Sequence, residues 1–194
     1  MILFPSGIPV TVNEHHAMRH LLVAPEQYIL DALAYKITQR TAALIEEWRP
    51  ILFDDDSVTE LPGTTDGLVD LILARSDYRT RLQRDAASTP VVTTSTNATD
   101  MYAAIDRSGT TATLFASGIE IADRDAGVLL AYVQTLNEWV YGAVMGHINR
   151  GAKMLIRTWE PILLADESVT SLPATRDAFI ATVVARDDYS PAGA

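Results

Sequence analysis

Residues 48–78 read WRPILFDDDSVTELPGTTDGLVDLILARSDY, and residues 159–189 read WEPILLADESVTSLPATRDAFIATVVARDDY. Set against each other without a gap at an offset of 111, sixteen of the 31 positions are identical. Asp56/Glu167, Val69/Ile180 and Ile72/Val183 are conservative pairs. Agreement of this extent without insertions reads as one unit used twice, over residues 21–81 and 132–192. Upstream the identities fade but the apolar spacing persists. Leu30, Leu33, Ile37, Thr41, Leu44 and Trp48 recur at the same intervals as Tyr141, Val144, Ile148, Ala152, Leu155 and Trp159. Steps of three and four residues form one stripe of an amphipathic helix.

The shared residues can be read one by one. Pro50 and Pro161 lack an N–H and crowd the preceding turn, so each long helix is expected to stop or kink beside its tryptophan. Ser57 and Ser168 stand where a short turn needs an N-cap, with Glu60 completing a capping box in the first copy. Thr64 and Thr175 are expected to cap a last helix, with Asp66 and Asp177 in its positively polarised first turn. That helix buries Leu68 and Ile72, or Phe179 and Val183, and closes on Ala-Arg-x-Asp-Tyr. Each unit is therefore an αα-hairpin: long helix, polar elbow, shorter helix. Trp48 and Trp159 are expected to pack beneath Tyr78 and Tyr189 or against the adjacent helix. The polar set Asp55/Asp166, Ser57/Ser168, Arg75/Arg186 and Asp77/Asp188 reads as caps and a carboxylate–guanidinium clasp, because a repeated unit keeps whatever its fold needs. A docking surface used twice is the functional alternative.

Outside the repeats the signals change. Residues 1–20 give an apolar, extended arm with turns at Pro5-Ser6-Gly7 and Pro9, then a short helix over 14–23 capped by Asn13, before Pro25 opens the first long helix. Residues 82–131 form a β-rich insertion and the lead-in to the next helix, with strand composition at 90–96, 101–106, 110–115 and 119–122, the alternative being a helix over 98–105. The second long helix can begin near Asp123 or Asp125 and reach Trp159 if Gly127, Gly142, Gly146 and Gly151 do not interrupt it. The fold class is mainly α with a small antiparallel β insertion and two tandem homologous helical hairpins.

Composition bounds the chemistry. The chain has 25 acidic against 15 basic residues, so its average field repels nucleic acid and anionic membranes. The nearest basic cluster, Arg75, Arg79, Arg81 and Arg84, is interleaved with Asp70, Asp77 and Asp85 and reads as a solvated helix end. With no cysteine, disulfides, thiolate metal sites and cysteine nucleophiles are excluded. No signal peptide is expected, since the first residues lack a basic region and meet Pro5 and Pro9 at once. Synthesis in the cytoplasm and a soluble protein follow as expectations. His16 and His20 share a helix face, but no third ligand is placed beside them, and His147 lies in the other copy, so no metal site is assigned. No phosphate-binding glycine loop and no nucleophile elbow occurs. Asp54, Asp55 and Asp56 read as an elbow rather than an acid–base pair.

No catalytic residue, cofactor or nucleic-acid partner is therefore assigned. The expectation is a non-catalytic structural or assembly protein that associates with itself and with other proteins of an assembly, of the phage-virion or adaptor kind. The arm over 1–12 and the aromatic residues Tyr132, Trp139 and Tyr141 are the surfaces expected to meet other subunits. The alternatives are a helical binding or regulatory module with a groove between its hairpins and, more remotely, an enzyme using His16, His20 and nearby carboxylates.

Overall fold

The computed structural model describes residues 1–88 and 111–192. The stretches 90–96 and 101–106 lie outside the described residues. The fold is mainly α: among the described residues there are seven helices and two small two-stranded antiparallel sheets. In chain order the elements are β1 (Ile2–Leu3), β2 (Ile8–Thr11), α1 (Val12–Leu21), α2 (Pro25–Phe53), α3 (Thr65–Leu73), α4 (Arg81–Ser88), β3 (Thr111–Leu114), β4 (Ile119–Glu120), α5 (Asp123–Leu130), α6 (Leu136–Ala165) and α7 (Arg176–Val184).

The arm's two strands pair within the chain. β1 pairs with β4, Leu3 opposite Ile119, and β2 pairs with β3, Ile8 opposite Leu114. Leu3, Ile8 and Val10 are buried there beside Leu114, Phe115, Ile119 and Ile121. An isolated two-stranded hairpin is marginal in water. β3 and β4 accordingly bind the arm rather than each other, and both partners bury apolar side chains. Two tight turns aim the strands. Gly7 N–H donates to the Phe4 carbonyl and Gly118 N–H to the Phe115 carbonyl, each at 2.7 Å. Gly7 and Gly118 have φ of 73° and 77°, and a Cβ would lie 2.8 Å from the Leu114 oxygen at the first and 2.9 Å from the Leu3 oxygen at the second, so only glycine fits either.

α1 begins two residues earlier than the sequence suggests. Thr11 is its cap: the hydroxyl accepts from Glu14 N–H at 3.1 Å and the Glu14 carboxylate accepts from Thr11 N–H at 2.7 Å, a complete capping box. Asn13 lies inside the helix, and its amide donates to the Asp177 carbonyl at 3.1 Å.

Neither long helix stops at its proline. α2 continues through Pro50 to Phe53 and α6 through Pro161 to Ala165. Each proline sits in the final turn, where its missing N–H removes one hydrogen bond close to the end. Leu52 and Leu163 beyond it are buried, and that burial holds the turn. The expected continuous helix from 123 to 159 is in turn two helices. α5 ends at Leu130, and Thr135 caps α6 by accepting from Glu138 N–H at 3.3 Å. None of the glycines makes that break.

Three apolar clusters hold the elements together. The central one joins both sheets to the first halves of α2 and α6, through Ile29, Leu33, Leu136, Val140, Val144 and Ile148. One lobe packs Leu44, Trp48, Leu52, Val69 and Ile72 of α2 and α3 against Val128 of α5 and the adjoining Ala131. The other packs Leu155, Trp159, Leu163, Phe179, Ile180 and Val183 of α6 and α7 against Ala17 of α1. No helix among the described residues is long and apolar enough to cross a membrane.

Candidate interaction surface

The polar residues shared by the two stretches assemble into two latches of the same geometry. Arg75 Nη1 donates to Asp55 at 2.7 Å, and its Nε and Nη2 donate to the two oxygens of Asp77 at 2.8 and 2.9 Å. Arg186 does the same with Asp166 at 2.7 Å and Asp188 at 2.8 and 3.0 Å. The guanidinium carbons stand 5.7 Å from the Trp48 ring centroid and 5.8 Å from that of Trp159. Each tryptophan in turn meets its tyrosine, Trp48 with Tyr78 at 6.1 Å and Trp159 with Tyr189 at 5.9 Å.

Ser57 and Ser168 are not helix caps, because no helix follows until Thr65 and Arg176. They donate instead. The Ser57 N–H and hydroxyl reach Asp55 at 2.9 and 2.6 Å, and those of Ser168 reach Asp166 at 3.0 and 2.6 Å. The capping box expected with Glu60 therefore does not form. Thr64 and Thr175 do cap α3 and α7, accepting from Gly67 and Ala178 N–H at 3.1 and 3.2 Å.

The latch is electrostatically closed. Hydrogen bonds from Ser57 and then Arg75 hold the Asp55 carboxyl down at about 2, and those from Ser168 and Arg186 do the same to Asp166. The carboxylates push both guanidiniums further up. A depressed carboxylate favours the fold above its ordinary value and loses that effect only as pH falls from 3.8 towards about 2, so the latch is intact throughout the neutral range. The arrangement ties the end of each elbow to the chain after its last helix.

Just before each latch comes the last turn of a long helix. Ile51 and Phe53 at the tip of α2 are 42% and 69% exposed, and Ile162 and Leu164 at the tip of α6 are 42% and 68% exposed. The same two positions thus present apolar side chains to solvent in both lobes. Below the α2 tip lies a mainly apolar groove of about 230 Å³, lined by Leu52, Phe53, Leu61, Leu68 and Ile72 among others, with Arg49 at its wall. In the other lobe the residue matching Leu68 is Phe179, which is buried at 5% exposure.

The remaining sequence candidates are placed as follows. His15, His16 and His20 line α1, and partial burial lowers the pKa of each. His20 stacks on Tyr189 at 6.3 Å and His147 meets Tyr28 edge-on at 5.1 Å. No group of three His, Asp or Glu among the described residues could hold a metal ion. The arginines near α4 are occupied by their own chain: Arg81 pairs with Asp85 at 2.9 Å, Arg79 donates to the Ser76 and Tyr78 carbonyls, and Arg84 donates to the Ala131 carbonyl. Nor do the aromatic residues form an open face. Trp139 and Tyr141 pack on the central core, and Tyr132 lies under the Arg40 guanidinium at 4.5 Å.

One match escaped the reading of the tryptophan stretches. Residues 3–8 are LFPSGI and residues 114–119 are LFASGI, at the same offset of 111. Phe4 and Phe115, with φ of 49° and 52°, are the two non-glycine residues in left-handed conformation among the described residues. By the same offset β1 matches β3, β2 matches β4, and α1 matches α5. The signal was the Leu-Phe-x-Ser-Gly-Ile hexapeptide, too short to stand out until the offset was applied to it. Comparison with known proteins adds no relative: no protein-family model, no curated protein and no solved structure matches the chain.

Proposed function

We propose that this chain is a non-catalytic structural protein that self-associates, made of two homologous helical-hairpin units fused in tandem. It serves as an assembly or adaptor component, of which a phage-type virion part is one form. The tandem reading rests on the single offset that relates the tryptophan stretches, both latches, both left-handed turns and the strand and helix order. The observation that carries the assembly reading is the matched pair of apolar tips, Ile51 with Phe53 and Ile162 with Leu164. An exposed large apolar residue is unremarkable singly. Its recurrence at the same two positions of both units favours a surface kept for contact.

The arm and the aromatic residues carry less of this reading, since Leu3, Ile8 and Val10 of the arm are buried within the chain and Tyr132, Trp139 and Tyr141 pack partly against it. Partners are therefore copies of the chain, and further proteins of the assembly, that meet it at the helix tips. Light scattering on the full chain across a concentration series is expected to reveal a species larger than the 21.2 kDa monomer. A strict monomer at the highest concentration overturns self-association.

The groove beside Leu68 favours a second reading, a binding module that takes a small apolar ligand or a partner helix. Under that reading Leu68→Phe abolishes uptake of an apolar fluorescent probe by the full chain. Equal uptake by the variant and the wild type removes it.

A further inference from the structure

We infer that copies of this chain join head to tail, with the α2 tip of one copy packing side by side and in the same direction against the α6 tip of the next. The inference rests on the self-association proposed above and names its surface. Glu46, Arg49 and Phe53 are spaced by three and four residues and lie on one exposed face of α2. Their counterparts at the offset of 111, Arg157, Glu160 and Leu164, lie on the matching exposed face of α6. The apolar character is kept and both charges are reversed. None of the four charged residues has an ion-pair partner among the described residues.

That reversal selects among the ways two tips can meet. Two α2 tips running in the same direction bring Glu46 to Glu46 and Arg49 to Arg49, and two α6 tips do the equivalent, so parallel like tips repel. Antiparallel like tips match Glu46 with Arg49, or Arg157 with Glu160, but that register sets Phe53 against Ala42 and Leu164 against Lys153 and leaves the apolar tips unmatched. An α2 tip running antiparallel to an α6 tip sets Glu46 near Glu160 and Arg49 near Arg157, again like against like. Only unlike tips running in the same direction place Glu46 at Arg157, Arg49 at Glu160 and Phe53 at Leu164.

A second observation points the same way. Upstream on the same face of α6 stand Arg150 and Lys153, both exposed, so that face is basic although the chain carries a net charge of −10. Beside the α2 tip an open groove of about 800 Å³ is walled by Glu46, Asp66 and Asp125 together with Arg49. Asp66 is already paired with Arg124 at 2.7 Å, which leaves Glu46 and Asp125 to face an incoming basic helix. Each chain has one tip of each kind, so every contact leaves a complementary tip free at either end. Growth therefore yields an open chain, or a ring where the rotation closes.

The test uses the full chain and measures mass against concentration at low salt, with thermal melting to confirm folding. Glu46→Arg alone and Arg157→Glu alone each place like charges in contact and are expected to weaken association about tenfold or more. The double variant, Glu46→Arg with Arg157→Glu, exchanges the charges and is expected to recover wild-type association. Single variants that associate like the wild type overturn the tip-to-tip interface while leaving self-association standing. Two disruptive single variants without rescue in the double overturn the register. A wild-type protein that stays monomeric overturns this inference and the reading beneath it together.

Discussion

The two lobes share a skeleton and differ in how closely their covering helix approaches. In the lobe built from α6 and α7, α1 lies almost backbone to backbone on α6. A Cβ added to Gly151 would stand 2.0 Å from the Ala17 carbonyl oxygen. In the lobe built from α2 and α3, the position matching Gly151 is Arg40, and its guanidinium rests over the ring of Tyr132, just beyond α5. The tyrosines differ too. The Tyr78 hydroxyl donates to the Gly127 carbonyl of α5 at 2.8 Å, whereas the Tyr189 hydroxyl is buried without a hydrogen-bond partner among the described residues. Tryptophan, latch and caps are alike in both lobes because they make the elbow, which each unit closes by itself. The covering helix comes from the other half of the chain, and the residues that meet it differ between the lobes.

The largest effect expected is the loss of either tryptophan. Trp48 and Trp159 are each 8% exposed, and each lies between an arginine and a tyrosine. Trp48→Ala and Trp159→Ala should each cost about 3–5 kcal/mol in urea unfolding of the full chain. Near-equal losses fit two equivalent elbows. A loss confined to one variant breaks the comparison at its strongest point.

The middle effect separates the lobes. Gly151→Ala must push α1 away from α6, because the atom it meets belongs to the backbone and cannot rotate aside, and a cost of about 1–3 kcal/mol is expected. Arg40→Ala, at the matching place, gives up a cation–π contact between half-buried groups, worth about 0.5–2 kcal/mol. If Gly151→Ala unfolds at the wild-type urea concentration, the close approach of α1 is not a constraint.

The parts of this molecule that sequence reasoning reached are those decided within one unit. The caps at Thr64 and Thr175, the tryptophan against its tyrosine and the Asp-Arg-Asp latch follow from side-chain chemistry over about thirty residues, and the two stretches agree in each. The parts it missed depend on distant chain. Proline was given its local meaning at Pro50 and Pro161, but burial of Leu52 and Leu163 by other elements decides that turn. The arm's partner strands lie a hundred or more positions away, beyond the reach of any local pattern. Two local signatures were also overlooked: Thr11 with Glu14, and Thr135 with Glu138, each spell a helix start at cap-to-N3 spacing. The apolar tips could not be recognised from the helix stripe, since Phe53 and Leu164 look like core residues until the fold leaves them outside.

The smallest effect is the sharpest test of the asymmetry, because one atom is removed at matching places. A hydrogen bond of this kind contributes about 0.5–1.5 kcal/mol net, whereas a buried polar group left unpaired costs about 1–3 kcal/mol. Tyr78→Phe deletes the donor to Gly127 and leaves that carbonyl unpaired, so a loss of about 1 kcal/mol is expected. Tyr189→Phe deletes a hydroxyl that makes no such bond while keeping the ring against Trp159 and His20. It should leave stability unchanged or raise it. Opposite signs, or a zero beside a loss, in paired urea titrations mean that the α5 lobe is fastened by a hydrogen bond and the α1 lobe by packing alone. Equal losses at both positions would show that the Tyr189 hydroxyl is bonded after all, and that the two lobes differ only in the distance set by Gly151 and Arg40.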